Sequence, residues 1–204
     1  MTLVSMARRH REQGLLPPLT GAAKDDPTGL SGLVGLNVAW VGDSNNIIND
    51  MLLAFPRLGI NLSVATPKGY ELDSRVRKAM EAQSQSGGND APNAVPLKGW
   101  FHDPLEAVKG AHVIVTDTWI SMGDEASKEQ RLRDFAGFQV TRDMAQRGGA
   151  DPNWRFMHCL PRKQQEVDDD VFYDEERSLV WEEAENRKWT IMALADAMFR
   201  NKHK

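Results

Sequence analysis

One cysteine in 204 residues leaves nothing for an intrachain disulfide to join. The fold must be held by burial and hydrogen bonding, and the chain suits a reducing compartment or the mitochondrial interior. No apolar run reaches the length needed to cross a bilayer, so a membrane partner is not expected. Basic residues form no long run: 25 Lys and Arg stand against 29 Asp and Glu, a net charge of -4, so nucleic acid is not expected as a partner on electrostatic grounds. The turn after the first apolar run reads Gly42-Asp43-Ser44-Asn45-Asn46 and lacks the G-x-G-x-x-G of a dinucleotide fold, so no nicotinamide or other cofactor is expected. His10, His102, His112, His158 and His203 show no ligand spacing, and Cys159 has no second cysteine beside it, which argues against a metal.

What is present is an α/β rhythm from Leu33 onward, short β-rich apolar runs separated by longer amphipathic ones. The pattern predicts strands at Asn37–Val41, Asn61–Ala65, Val95–Phe101, His112–Thr116, Trp154–His158 and Ser178–Trp181. It predicts helices at Ile47–Leu58, Asp73–Gln83, Pro104–Lys109, Ser127–Phe135, Arg142–Arg147 and Glu183–Phe199, with a surface loop over Ser84–Asn93. Continuous apolar runs such as Val113-Ile114-Val115 fit strands buried on both faces. The fold class is therefore α/β, a doubly wound, mostly parallel sheet flanked by helices. Residues 33–200 read as one domain. Residues 1–32 read as an extension and linker: a short Arg-rich start, taken as a frayed tail, then a Pro- and Gly-containing stretch.

In open parallel sheets ligands bind outside the carboxyl ends of the strands, so polar residues just after strands matter most. Gly42 to Asn46 follows the first strand and opens a helix whose free N–H groups favour an anion; Asp43 or Ser44 acting as a simple helix cap is the alternative. Asp117 ends the fourth strand and suits an ammonium group, or else caps the next helix. Cys159 and Leu160 follow the fifth strand, and a lone buried thiol acting as a small hydrophobe is slightly favoured on spacing alone. His158 reads equally as a satisfied core histidine. Arg187, in the last helix, reaches an anion or pairs with Glu183 one turn earlier.

Together these stretches resemble the ornithine carbamoyltransferases. Trp40 to Asn46, Ala65 to Tyr70, Asp117 to Gly123, His158 to Arg162 and Glu183 to Trp189 look like the family's landmarks in the family's order, from about Leu33 to Ala195. The aspartate-carbamoylating relatives are similar here but carry Pro where this chain has Cys159. His158 to Lys163 and Val171 to Met192 look most like the mitochondrial, eukaryotic branch.

The resemblance implies transfer of the carbamoyl group of carbamoyl phosphate to the δ-amine of ornithine, giving citrulline and phosphate in arginine biosynthesis or the urea cycle. It implies that Asn46, Asp117, Ser121 and Met122 hold the α-amino and α-carboxylate groups of ornithine. Cys159 would lie by the reacting amine, the carbonyls of Cys159 and Leu160 would orient the carbamoyl group, and Arg187 would help bind carbamoyl phosphate. Cys159 and Asp117 are the catalytic candidates on this basis. A cis bond between Leu160 and Pro161, a homotrimer and a mitochondrial matrix location, or alternatively a cytoplasmic one, are implied as well. The resemblance covers the ornithine-binding half. The family's Ser-Thr-Arg-Thr phosphate loop is not in these 204 residues, so the carbamoyl-phosphate-binding domain is expected to be absent from them. The competing expectation is a catalytically inactive module that binds ornithine or another amino acid.

Overall fold

The computed structural model describes residues 1–20, 24–85, 93–120 and 127–200. Five strands, β1 (Asn37–Val41), β2 (Asn61–Ala65), β3 (Gly99–Phe101), β4 (Val113–Thr116) and β5 (Arg155–His158), form one sheet in the order β3-β2-β1-β4-β5. All four pairings are parallel, with Trp40 opposite Val64 on one side and Val115 on the other. The period-2 alternation of side chains divides these strands between two cores. Ala39, Val41, Ala65, Ile114 and Phe156 point into one, and Val38, Trp40, Leu62, Val64, Val113, Val115 and Met157 into the other.

Helices cover both faces. On the second face lie α1 (Thr2–Glu12), α2 (Asn46–Ala54) and α3 (Ser74–Gln85), through Met6, Ala7, Ile48, Met51, Leu52, Val76 and Met80. On the first lie α4 (Pro104–Ala107), α5 (Lys128–Asp134), α6 (Arg142–Arg147) and α7 (Asp169–Phe172), through Ala107, Leu132, Met144, Ala145, Val171 and Phe172. Local chemistry sets several starts: Asn45, Asp103, Thr141 and Asp168 each accept a bond from a first-turn N–H, and Pro104 fills a first-turn position. The last helix, α8 (Val180–Arg200), is the longest, at 21 residues.

Four departures from the sequence reading have physical causes. The presumed frayed tail is helix α1, anchored because Met6, Ala7 and His10 fall on one face and are buried. Arg11 ties the helix end to the following segment through the carbonyls of Pro17 and Gly32. The expected sixth strand at Ser178–Trp181 is a single bridge between Ser178 and Phe156, after which Val180 starts α8; a run as short as Leu179-Val180-Trp181 does not distinguish a strand from a helix start. The third strand begins at Gly99 rather than Val95, since Pro96 has no N–H to give a ladder. The helix predicted to reach Leu58 ends at Ala54, and Pro56 opens a separate 3-10 turn. Part of the predicted loop, 86–92, lies outside the described residues.

Candidate active site

Strand order reverses at β1, which has β2 on one side and β4 on the other. The crevice of a doubly wound sheet forms at such a switch point, beyond the carboxyl ends of the strands. A cavity of about 570 Å³ lies there, lined by Asn46 and Ile47 from α2, Asp117 and Thr118 after β4, His158 to Leu160 at and after β5, and Glu183, Ala184 and Arg187 from α8.

The first wall depends on Gly42, where a Cβ would sit 3.1 Å from the Thr116 hydroxyl oxygen. Trp40 Nε1 donates to the Asp43 carbonyl at 3.0 Å and so pins the loop. Neither Asp43 nor Ser44 caps α2. Asn45 does, its Oδ1 accepting from the Ile47 N–H at 3.0 Å. The Asp43 carboxylate pairs with Arg131, whose guanidinium lies 4.9 Å from the Tyr70 ring centre. The amide of Asn45 also donates to the buried Asp117 carboxylate at 2.8 Å, joining the β1 and β4 walls. Among the described residues Asp117 caps no helix: residues 118–120 are not helical and α5 begins at Lys128.

The wall after β5 is a tight turn built around His158. Its Nδ1 accepts from the Leu160 N–H at 2.9 Å, which leaves the ring proton on Nε2, directed at Glu166 Oε2 3.0 Å away. Both side chains are fully buried. Glu166 accepts in addition from the N–H groups of Lys163 at 2.8 Å and Trp119 at 3.3 Å. Leu160 has φ 62°, in the left-handed region, at a cost of roughly 1–2 kcal/mol for an L-residue; its bond to His158 holds it there. The Leu160–Pro161 bond is cis, as the resemblance implies.

Cys159 is half-buried in this turn. Burial, a hydrogen bond to Asp117 and the nearby charges of Asp117 and Glu183 push its thiol well above the usual range. The sulfur is therefore a protonated donor at neutral pH, and a thiolate mechanism is disfavoured. Glu183 reaches in from α8, its carboxylate accepting from the His158 N–H at 3.2 Å. Burial raises its pKa, with the His158 N–H acting in the opposite direction. Arg187 is exposed at the rim, and among the described residues no carboxylate lies within ion-pair distance of it. The alternative pairing with Glu183 is thus not made, because that carboxylate is turned toward β5. Ligand atoms of Asp117, His158 and Cys159 lie within 4.8 Å of one another. Both imidazole nitrogens are already engaged, so coordination would require breaking one of those bonds.

Of the residues expected from sequence, Asn46, Asp117, Cys159, Leu160 and Arg187 share one cavity, whereas Ser121 and Met122 lie outside the described residues. Glu183 and Glu166 were not anticipated as site residues. Each sits in an acidic stretch, Glu182 to Glu185 or Glu166 to Asp170, with no local signal that singles it out as an acceptor in the site.

The family model for the aspartate/ornithine carbamoyltransferase Asp/Orn-binding domain matches residues 34–198. The chain belongs to this family. Among curated relatives, the mitochondrial ornithine carbamoyltransferase of Aspergillus niger is 49% identical over 173 residues, covering 85% of this chain and 45% of that protein. The mitochondrial ornithine transcarbamylase of Gallus gallus is 51% identical over 163 residues, 80% of this chain and 43% of that one. The crystal structure of the mitochondrial ornithine carbamoyltransferase from Coccidioides immitis superposes with a TM-score of 0.75 at 40% identity, over 99% of this chain and 57% of that one. The enzyme from Pyrococcus furiosus gives a TM-score of 0.64 at 37% identity, over 91% and 52%. The α/β carbamoyltransferase fold expected from the sequence is thereby established, and the chain spans about half the length of the curated relatives it matches.

Proposed function

We propose that this chain supplies the ornithine side of an ornithine carbamoyltransferase site. The observation that carries the reading is the convergence of Asn46, Asp117, Cys159, Leu160 and Arg187 on one crevice at the switch point of the sheet. On this reading residues 33–200 are the ornithine-binding domain, residues 1–32 are an extension that adds α1 to it, and the carbamoyl-phosphate-binding domain is not among these 204 residues. Asp117 meets the α-ammonium group of ornithine by a charge-assisted hydrogen bond. Asn46, with Ser121 and Met122, holds the α-carboxylate end.

The reaction asks the δ-ammonium group to lose a proton before its nitrogen attacks the carbamoyl carbon. A C–N bond forms, a tetrahedral intermediate collapses, and the C–O bond to phosphate breaks with phosphate taking the electron pair and, in the end, the second proton that the attacking nitrogen gives up. Cys159, a neutral thiol beside two carboxylates, positions the amine and does not attack carbon. Glu183, whose carboxylate binds a proton more readily than usual, strengthens the acceptor character of that wall. The carbonyls of Cys159 and Leu160 orient the carbamoyl group. Arg187 supplies charge for phosphate. Relatives named as mitochondrial support the mitochondrial matrix as the location.

One observation favours a second reading for the chain by itself. Among the described residues lining the cavity, Arg187 is the one cationic side chain, a thin complement for a dianionic phosphate. A module that binds ornithine without turnover follows from that. Calorimetric titration with ornithine tests what both readings share. Binding is expected in the millimolar to high micromolar range, with Asp117→Asn weakening it about tenfold or more through loss of a charged hydrogen bond. A folded sample that binds no ornithine contradicts both. Citrulline formation then separates them, with Cys159→Ala as the control.

A further inference from the structure

Among the described residues, two carboxylates line the crevice: Asp117 after β4 and Glu183 from the first turns of α8. Ornithine brings two ammonium groups, one at Cα and one at the end of its side chain. Asp117 takes a hydrogen bond from Asn45 and, on the reading above, the α-ammonium group. Glu183 is the acid left for the far end.

Its direction is set by contacts within these residues. Glu182 pairs with Arg9 and Asn186 donates to Thr2, which fixes this part of α8 to the body. Glu183 Oε2 accepts from the His158 N–H at 3.2 Å, while Oε1 makes no hydrogen bond among the described residues. Nor does Glu183 make an ion pair among them. The Cys159 thiol is bonded to Asp117 rather than to Glu183. Burial, with the charge of Asp117 adding to it, raises the Glu183 pKa, so a cation brought against this half-used carboxylate offsets the cost of keeping it charged. His158 offers no alternative acceptor, since Nδ1 accepts from Leu160 and Nε2 is directed at Glu166.

We infer that Glu183 receives the δ-ammonium group of ornithine by a charge-assisted hydrogen bond and so selects a side chain that ends in an amine. This rests on the ornithine reading and adds to it the residue that recognises the far end of the molecule. Cys159, a neutral thiol, packs beside that amine without matching its charge, and Glu183 supplies the match. The same charge turns away a side chain that ends in a carboxylate.

Titration of the 204-residue chain, followed by NMR so that weak affinities are read, compares ornithine with norvaline, the same molecule with hydrogen in place of the δ-amine. The unsubstituted chain should bind ornithine about tenfold or more tightly than norvaline, the worth of one charged hydrogen bond. Glu183→Gln keeps an acceptor for the His158 N–H and should remove most of that preference by weakening ornithine alone, leaving norvaline little changed. Asp117→Asn, at the end that both ligands share, should weaken both. If Glu183→Gln weakens the two ligands alike, Glu183 only holds the His158 turn and the assignment falls. A preference for ornithine that survives Glu183→Gln overturns it as well. An unsubstituted chain that binds the two equally overturns this assignment while keeping an amino-acid site in the crevice, and a folded chain that binds neither overturns the ornithine reading together with it.

Discussion

Two histidines at opposite edges of the sheet are almost equally buried, His158 at 1% exposure and His10 at 3%, yet their surroundings differ in kind. His158, at the carboxyl end of β5, has both nitrogens engaged and a buried carboxylate as partner. His10, on α1 at the amino-end edge near His112, Asp151 and Arg155, has no hydrogen-bond partner for Nε2 among the described residues. Burial alone destabilises the charged form of an imidazole, whereas a partnered ring becomes a structural joint. The carboxyl edge is built to hold a turn in one shape. The amino edge tolerates an unpaired ring as the consequence of packing α1.

The largest effect expected from this contrast is at Glu166. Glu166→Ala strips acceptors from His158, Lys163 and Trp119 at once, and should cost about 3 kcal/mol or more in a urea unfolding experiment. Glu166→Gln, which keeps one carbonyl acceptor, should cost clearly less. Equal losses from the two variants would show that volume and not hydrogen bonding holds the turn.

The next effect is at His10, whose pKa burial lowers from its usual 6.5 to about 4, with Arg155 adding to the shift and Asp151 opposing it. The unfolded chain therefore takes up this proton before the folded one does. The associated stability is fully present above about pH 6.5 and is lost as pH falls toward 4, by roughly 1–3 kcal/mol. His10→Leu should remove most of that decline, leaving what His112, also lowered by burial, contributes. Parallel stability curves for the two proteins between these pH values would break the comparison.

A smaller effect is expected at Asn45, which both caps α2 and holds Asp117. Asn45→Ala should lose about 2 kcal/mol, the sum of a cap and a charged hydrogen bond partly replaced by water. If the loss is no more than about 1 kcal/mol, that of a cap alone, Asp117 does not depend on Asn45.

Much of this was legible before the structure. The bounds of β1 and β2 follow from apolar runs closed by polar or glycine residues, and the rule that ligands gather after strand ends placed Asn46, Asp117 and Cys159 together. Less legible was anything that needed tertiary contacts. Arg8, Arg9 and Arg11 obscured the apolar face of α1. Glu166 and Glu183 were not placed in the site, because nothing local announces that a histidine ring and a strand-end N–H require an acceptor. The direction of Arg187 was likewise undetermined, since Glu183 is a suitable partner by spacing and is withdrawn only by its bond to β5.

The lone cysteine makes the most direct test possible, because any thiol modification reports Cys159 alone. The rate of alkylation by iodoacetamide at pH 8, with and without ornithine, measures both its environment and its neighbour. The account predicts a rate well below that of a free cysteine, since the thiol is pushed up by burial and by Asp117 and Glu183, and a further saturable slowing by ornithine that putrescine, lacking the α-carboxylate, does not reproduce. A rate like that of an unfolded peptide, or one that ornithine leaves unchanged, would contradict the placement of Cys159 in an ornithine crevice.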